Sequence, residues 1–119
     1  PSQLIDPNTV KSEGPYSDPG LRELSPGNYE LYIRAEASPW RFYPDEVIVP
    51  VGSTVTFHVT SADVQHGFKL QGTNINFMVL PGQESTLTYT FEETGKIFFV
   101  CTEYCGVGHQ NMYGAIIVE

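Results

Sequence analysis

"EVIVPVGSTVTFHVTSA", residues 46–62, decides the fold. It divides at Pro50, Val51 and Gly52 into two apolar runs. In the second run Val55, Phe57 and Val59 point one way, and Thr54, Thr56, His58 and Thr60 the other. That alternation has the period of a half-buried strand, not of a helix. The same pattern recurs outward from it. "NYELYIRAEA" precedes it, and "GFKLQG", "INFMVL", "ESTLTYTF", "KIFFVC" and "YGAIIVE" follow. Turn segments such as "LPGQ" and "EETGK" separate these runs. Short strands at this spacing, rich in Val, Ile, Thr, Phe and Tyr, predict an all-β sandwich or barrel. No amphipathic helix of three turns is legible.

Residues 1–27 read differently. "DPNTV", "EGPYSDPG" and "SPGN" are turn-rich and predict an irregular N-terminal arm, with the β domain over 28–119. Asp6 and Pro7 fit the cap and first position of one short helical turn.

The 119 residues fit one domain with a proper core. No apolar run approaches the roughly 18 residues of a membrane span. The chain starts at Pro1 without a signal-peptide pattern, so it is expected to be a processed or cut soluble fragment, with a membrane anchor upstream. Fourteen acidic against six basic side chains give a net charge of −8, which disfavours nucleic acid as a partner. The acidity either steers a basic protein partner or only aids solubility, and charge alone favours the latter.

The chemistry lies in "CTEYCGVGHQNMYG", residues 101–114. Both cysteines, His109 and Met112 fall on one strand–loop–strand. A disulfide between Cys101 and Cys105 would close a tiny loop and leave His109 and Met112 unexplained. A thioredoxin-like pair requires two intervening residues and a helix start. Met is a poor zinc ligand. Thiolate, imidazole and thioether together are a copper set. The second Cys exceeds a mononuclear blue-copper site, but two thiolates can bridge two coppers. Each copper then needs a terminal imidazole. His109 supplies one. His66 opens a strand after the turn "SADVQ" and is the better second candidate; His58, in mid-strand on a Thr-rich face, reads as solvent-facing. Met78 reads as core filler. Asp63 reads as a turn residue, with shaping of the His66 loop as the alternative. Trp40, in "ASPWRFYPDE", is a candidate electron entry or an ordinary packing aromatic.

"HGF" at 66–68 with "CTEYCGVGHQNM" at 101–112 resembles the copper-A (CuA) domain of subunit II of haem–copper oxidases. "HGFKLQGTNINFMVLPG" is most similar to the B-family type of thermophilic bacteria. The resemblance implies a cupredoxin-like Greek-key β-sandwich holding two copper ions. Cys101 and Cys105 would bridge them. His66 and Met112 would complete one copper, His109 and the Glu103 carbonyl the other. It further implies a mixed-valence pair that takes single electrons from cytochrome c and passes them to haem in subunit I, with no substrate chemistry inside the domain. The family uses aromatic residues near Trp40 to meet cytochrome c. The Glu103 carboxylate would help bind magnesium only in the full complex; the B-family type has Gln there, so this chain mixes features. A periplasmic location and a monomeric isolated domain are expected. The alternatives are a CuA domain of a nitric-oxide or nitrous-oxide reductase, a copper chaperone or storage protein, and a disulfide-linked interaction module.

Overall fold

The computed structural model describes residues 5–119 and contains ten strands. They are β1 (Gly20–Ser25), β2 (Asn28–Glu36), β3 (Arg41–Tyr43), β4 (Glu46–Val49), β5 (Thr54–Ser61), β6 (His66–Leu70), β7 (Asn76–Val79), β8 (Ser85–Thr90), β9 (Gly95–Val100) and β10 (Tyr113–Val118). They form two sheets. One runs β1-β2-β5-β8, with β3 also paired to β2; the other runs β4-β10-β9-β6-β7. β5 pairs in parallel along the whole of β2 from Asn28 to Ala35, so β1 and β3 share the opposite edge of β2 in succession. β4 runs parallel to β10, and the other neighbours in that sheet are antiparallel. This two-sheet sandwich is the cupredoxin-like architecture.

The alternation in 54–60 is realised as read. Val55, Phe57 and Val59 are fully buried between the sheets. They meet Leu31, Ile33 and Ala35 of β2, and Phe68, Phe99 and Ile116 from the facing sheet. Phe42, Phe68 and Phe99 pack with ring centroids 5.0–5.6 Å apart. Each ring contributes on the order of 2–3 kcal/mol by leaving water. This aromatic core holds rigid the strands that end at the metal loop.

The structure corrects two sequence readings. The segment read as an irregular arm contains β1, which pairs with β2 across the tight turn at Pro26–Gly27. The alternation of β1 is hidden by a bulge between Glu23 and Ser25, which leaves Leu24 exposed. Residues 1–4 of that arm lie outside the described residues. His58 is not solvent-facing either: only 13% of its side chain is exposed. The arm folds over the outer face of the first sheet, burying Val10 and Tyr16. Beneath it Tyr32 stacks on His58 at 4.4 Å, and His58 Nε2 lies 3.0 Å from Glu30 Oε2. The Tyr16 hydroxyl donates to Glu84 at 2.5 Å, and Arg34 donates to the Tyr16 carbonyl at 2.6 Å. The expected turn at the arm's start is present: Asp6 Oδ1 accepts the Asn8 N–H and the Asp6 carbonyl accepts the Thr9 N–H.

Candidate metal centre

β9 stops at Val100 and β10 begins at Tyr113, so residues 101–112 are a loop between two neighbouring antiparallel strands. Its ends are pinned by the Cys101 N–H donating to the Met112 carbonyl at 3.1 Å. Inside it, His109–Asn111 make one 3-10 turn, closed by the His109 N–H on Gly106 and the Asn111 N–H on Gly108. That turn swings the His109 ring back over the cysteines. β6 lies beside β9, and this adjacency brings the first residue of β6, His66, against Cys101.

The side chains converge. Cys101 Sγ and Cys105 Sγ are 3.5 Å apart, and both thiols are free and buried. His66 Nδ1 lies 3.9 Å from Cys101 Sγ, and His109 Nδ1 lies 3.4 Å from Cys105 Sγ. The Glu103 carbonyl is 3.2 Å from Cys101 Sγ, and Met112 Sδ is 3.7 Å from Cys105 Sγ. The ligand atoms of His66, Cys101 and Cys105 all fall within 4.8 Å of one another. Two thiols, two imidazoles, a thioether and a carbonyl thus face one small volume. That donor set fits copper in its chemistry.

The surroundings tune these donors. Burial opposes charge on Cys101, but His66, the Gly67 backbone, Cys105 and the Glu103 backbone outweigh it, lowering its thiol to about 6. Cys105 moves the other way: burial and the neighbouring Cys101 push it up. Without metal the two sulfurs therefore share one proton. Burial pulls His66 down, yet its bonds to Cys101 and Asp63 leave it above the ordinary imidazole value. Asp63 is more than the turn residue its sequence suggested. Its Oδ1 lies 3.1 Å from His66 Nε2, so it orients the ring with Nδ1 toward the sulfurs.

Two features escaped the sequence reading. The glycine of "HGF" is required by a crossing, because a Cβ on Gly67 would lie 2.0 Å from Thr102 Oγ1 and 3.0 Å from the Glu103 amide nitrogen. Nothing local in the sequence announces that crossing. The loop also carries two exposed apolar tips, Tyr104 at 76% and Val107 at 87% exposure. Apolar residues in a glycine-containing loop were the available signal. Trp40 is half-buried against the same loop, and its indole N–H donates to the Cys105 carbonyl at 2.9 Å. Met78 is 40% exposed on β7, so it is not the core filler expected, and it makes no contact with the sulfur cluster among those described.

Residues 35–119 match the family profile of the cytochrome c oxidase subunit II periplasmic domain. The chain belongs to that family. This subunit II domain is 45% identical over 119 residues to cytochrome c oxidase subunit 2 of Thermus thermophilus, covering 98% of this chain and 87% of that relative. It also superposes on a chain of a haem–copper terminal oxidase dimer solved by cryo-EM, with a TM-score of 0.80 at 37% identity, covering 100% of this chain and 79% of the other. The crystal structure of the periplasmic domain of subunit II (CoxB) of Bradyrhizobium japonicum matches with a TM-score of 0.68 at 25% identity, covering 76% of this chain and 83% of that one. The subunit II domain is periplasmic and copper-binding in type, and it works with subunit I of the oxidase. No helix among the described residues is long and apolar enough to cross a membrane.

Proposed function

We propose that this domain transfers single electrons in a respiratory chain through a dinuclear copper centre. Cys101 and Cys105 would hold the ions, and His66, Met112, His109 and the Glu103 carbonyl would supply the remaining donors. The observation that carries this is the pair of free thiols 3.5 Å apart, each with an imidazole Nδ1 beside it. Bound there, the copper pair supplies one-electron chemistry with a single charge spread over two metals. The chain's own residues keep the structural cost of that charge small. His66 is fully buried, and Cys101, Cys105 and Met112 nearly so, which excludes water. Asp63 fixes one ring, and the pinned loop ends fix the sulfurs. A scaffold that does not rearrange suits fast electron transfer.

The donor is a cytochrome c, and the acceptor is haem in subunit I. Supporting the donor assignment, Tyr104 and Val107 expose apolar surface on the metal loop, with Trp40 as the electron entry beside it. The Glu103 carboxylate is half-buried and, with its carbonyl turned to Cys101, is left for magnesium at the contact with subunit I. A membrane anchor preceding the domain would hold it at the outer face of the cytoplasmic membrane.

Loading the reduced protein with copper tests this. The expected product is purple, with about two coppers per chain and a seven-line electron-resonance pattern from an electron shared by two copper nuclei. A mononuclear blue-copper spectrum, or no uptake, refutes it.

A further inference from the structure

Between β2 and β3 the chain turns in four residues, Ala37, Ser38, Pro39 and Trp40, with Glu36 and Arg41 paired at its base. Two of the four, Ser38 at φ +45° and Trp40 at φ +60°, are non-glycine residues in the left-handed region. A residue with a Cβ is unfavourable there, so the surroundings must hold both in place. They are held at both ends of the turn. The Ala37 N–H donates to Asp63 Oδ2 at 2.8 Å, while Asp63 Oδ1 faces His66 Nε2 at 3.1 Å. The Trp40 indole N–H donates to the Cys105 carbonyl at 2.9 Å. The indole ring lies flush on Gly106 and Gly108: a Cβ would fall 2.7 Å from the ring at Gly106 and 2.4 Å at Gly108. One turn therefore grips both segments that present donors, the His66 segment through Asp63 and the cysteine loop through Trp40. The strands themselves tie the two segments only lightly, since β6 and β9 share two paired positions, Lys69 with Val100 and Leu70 with Phe99; beyond them the direct tie is the close packing of Gly67 on Thr102 and Glu103.

We propose that the 37–40 turn is a brace that sets the spacing of the two donor segments before metal arrives, with Trp40 as its principal positioning residue. The significance for copper rests on the function proposed above; the brace itself is a property of the metal-free fold. The role also differs from electron entry. An entry aromatic needs an exposed edge and electronic coupling, whereas a brace needs the N–H on the Cys105 carbonyl and glycine at 106 and 108.

The test uses Trp40→Phe, which keeps an aromatic ring but loses the N–H, and Gly108→Ala, which leaves the indole intact and pushes it off the loop. Amide hydrogen exchange is read first, on the reduced metal-free protein. Both variants are expected to speed exchange about tenfold or more at Cys105–His109 and also at His66 and Gly67, with β2 and β5 unchanged. Exchange like wild type, or acceleration confined to Cys105–His109 without His66 and Gly67, overturns the brace. Copper-loaded protein is read second. Both variants are expected to alter the copper hyperfine splitting and lose metal severalfold faster to a chelator. A spectrum and loss rate like wild type, with only electron uptake from the donor slowed in Trp40→Phe, would assign Trp40 to electron entry alone. Failure of the wild type to take up copper refutes the function proposed above, and the exchange result still decides the brace.

Discussion

At the residue scale, the two cysteines are chemically unequal although four positions apart on one loop. Cys101 has His66, Glu103 and the Gly67 backbone around it, and these outweigh its burial to hold it as a thiolate down to about 6. Cys105 keeps the shared proton, because burial and the neighbouring Cys101 raise it. Copper must displace that proton from Cys105 at any ordinary pH, and below about 6 a second one from Cys101. Apparent copper affinity should therefore fall with acidity, and more steeply once pH drops through about 6, because protons on Cys101 and on His66, itself raised above the ordinary imidazole value, must also be displaced. Chelator competition from pH 7.5 to 5 measures the break in slope; a straight line through pH 6 contradicts the asymmetry. A second prediction concerns Gly67. Adding a methyl puts it 2.0 Å from Thr102 Oγ1 and 3.0 Å from the Glu103 amide nitrogen, so the Thr102 side chain must turn away and the Glu103 backbone must give slightly. Gly67→Ala should cost about 1–3 kcal/mol, as overpacking does, and lower Tm by several degrees. It should also weaken copper retention, since Glu103 is displaced with Thr102. Unchanged melting would mean that the crossing relaxes freely.

At the element scale, period-two alternation made β2 and β5 legible because one face of each meets the core, whereas β9 and β10 were legible as short apolar runs bounded by turns. β1 was hidden because its bulge exposes Leu24 and breaks the alternation. Cys101, Cys105, His109 and Met112, the donors proposed from one loop, were legible from soft-ligand chemistry and spacing. Of the supports, Asp63 was half-legible, since it lies three residues before His66 and could be read as shaping that loop; the bracing contacts of Ala37 and Trp40 were not, because they come from another loop and only tertiary packing brings them to Asp63 and Cys105. His58 was misread for the same reason: strand periodicity says which face a residue takes, not whether another segment covers that face. The covering arm yields a prediction. Burial first, then the hydrogen bond to Glu84, raises the Tyr16 hydroxyl far above its ordinary value of 10.0. The folded protein keeps that proton when the unfolded chain loses it, so this stabilisation is complete below about pH 10 and is lost as pH rises past it. Tyr16→Phe should cost about 1–3 kcal/mol at pH 8, by leaving Glu84 buried without its donor. It should also flatten the alkaline fall in stability, with the copper spectrum intact. Urea unfolding at pH 8 and pH 10.5 compares the two proteins, and parallel losses with pH would exclude Tyr16 as the source.

At the scale of the whole molecule, net charge and contact chemistry separate. The chain carries −8, yet the metal loop contributes only Glu103 as an acidic side chain, and its carboxylate is half-buried. The loop presents Tyr104 and Val107 to solvent, with the half-buried Trp40 beside it. Acidic charge spread over the remaining surface keeps the domain soluble and gives weak long-range attraction to a basic donor. On the function proposed above, the donor contact is apolar and gains by excluding water between the two proteins. Two rate signatures follow. Raising ionic strength should slow electron uptake from a basic cytochrome c only modestly, within a few-fold, because the attracting charges are remote and screened. Val107→Asp should slow it about tenfold at low and high salt alike, because a carboxylate placed at the apolar tip must lose water on docking. Stopped-flow reduction of the copper-loaded domain, at low and at 0.5 M-scale ionic strength, distinguishes the terms. If Val107→Asp instead speeds uptake at low salt and has no effect at high salt, the added charge acts only as long-range attraction for the basic donor and the donor does not dock on this tip.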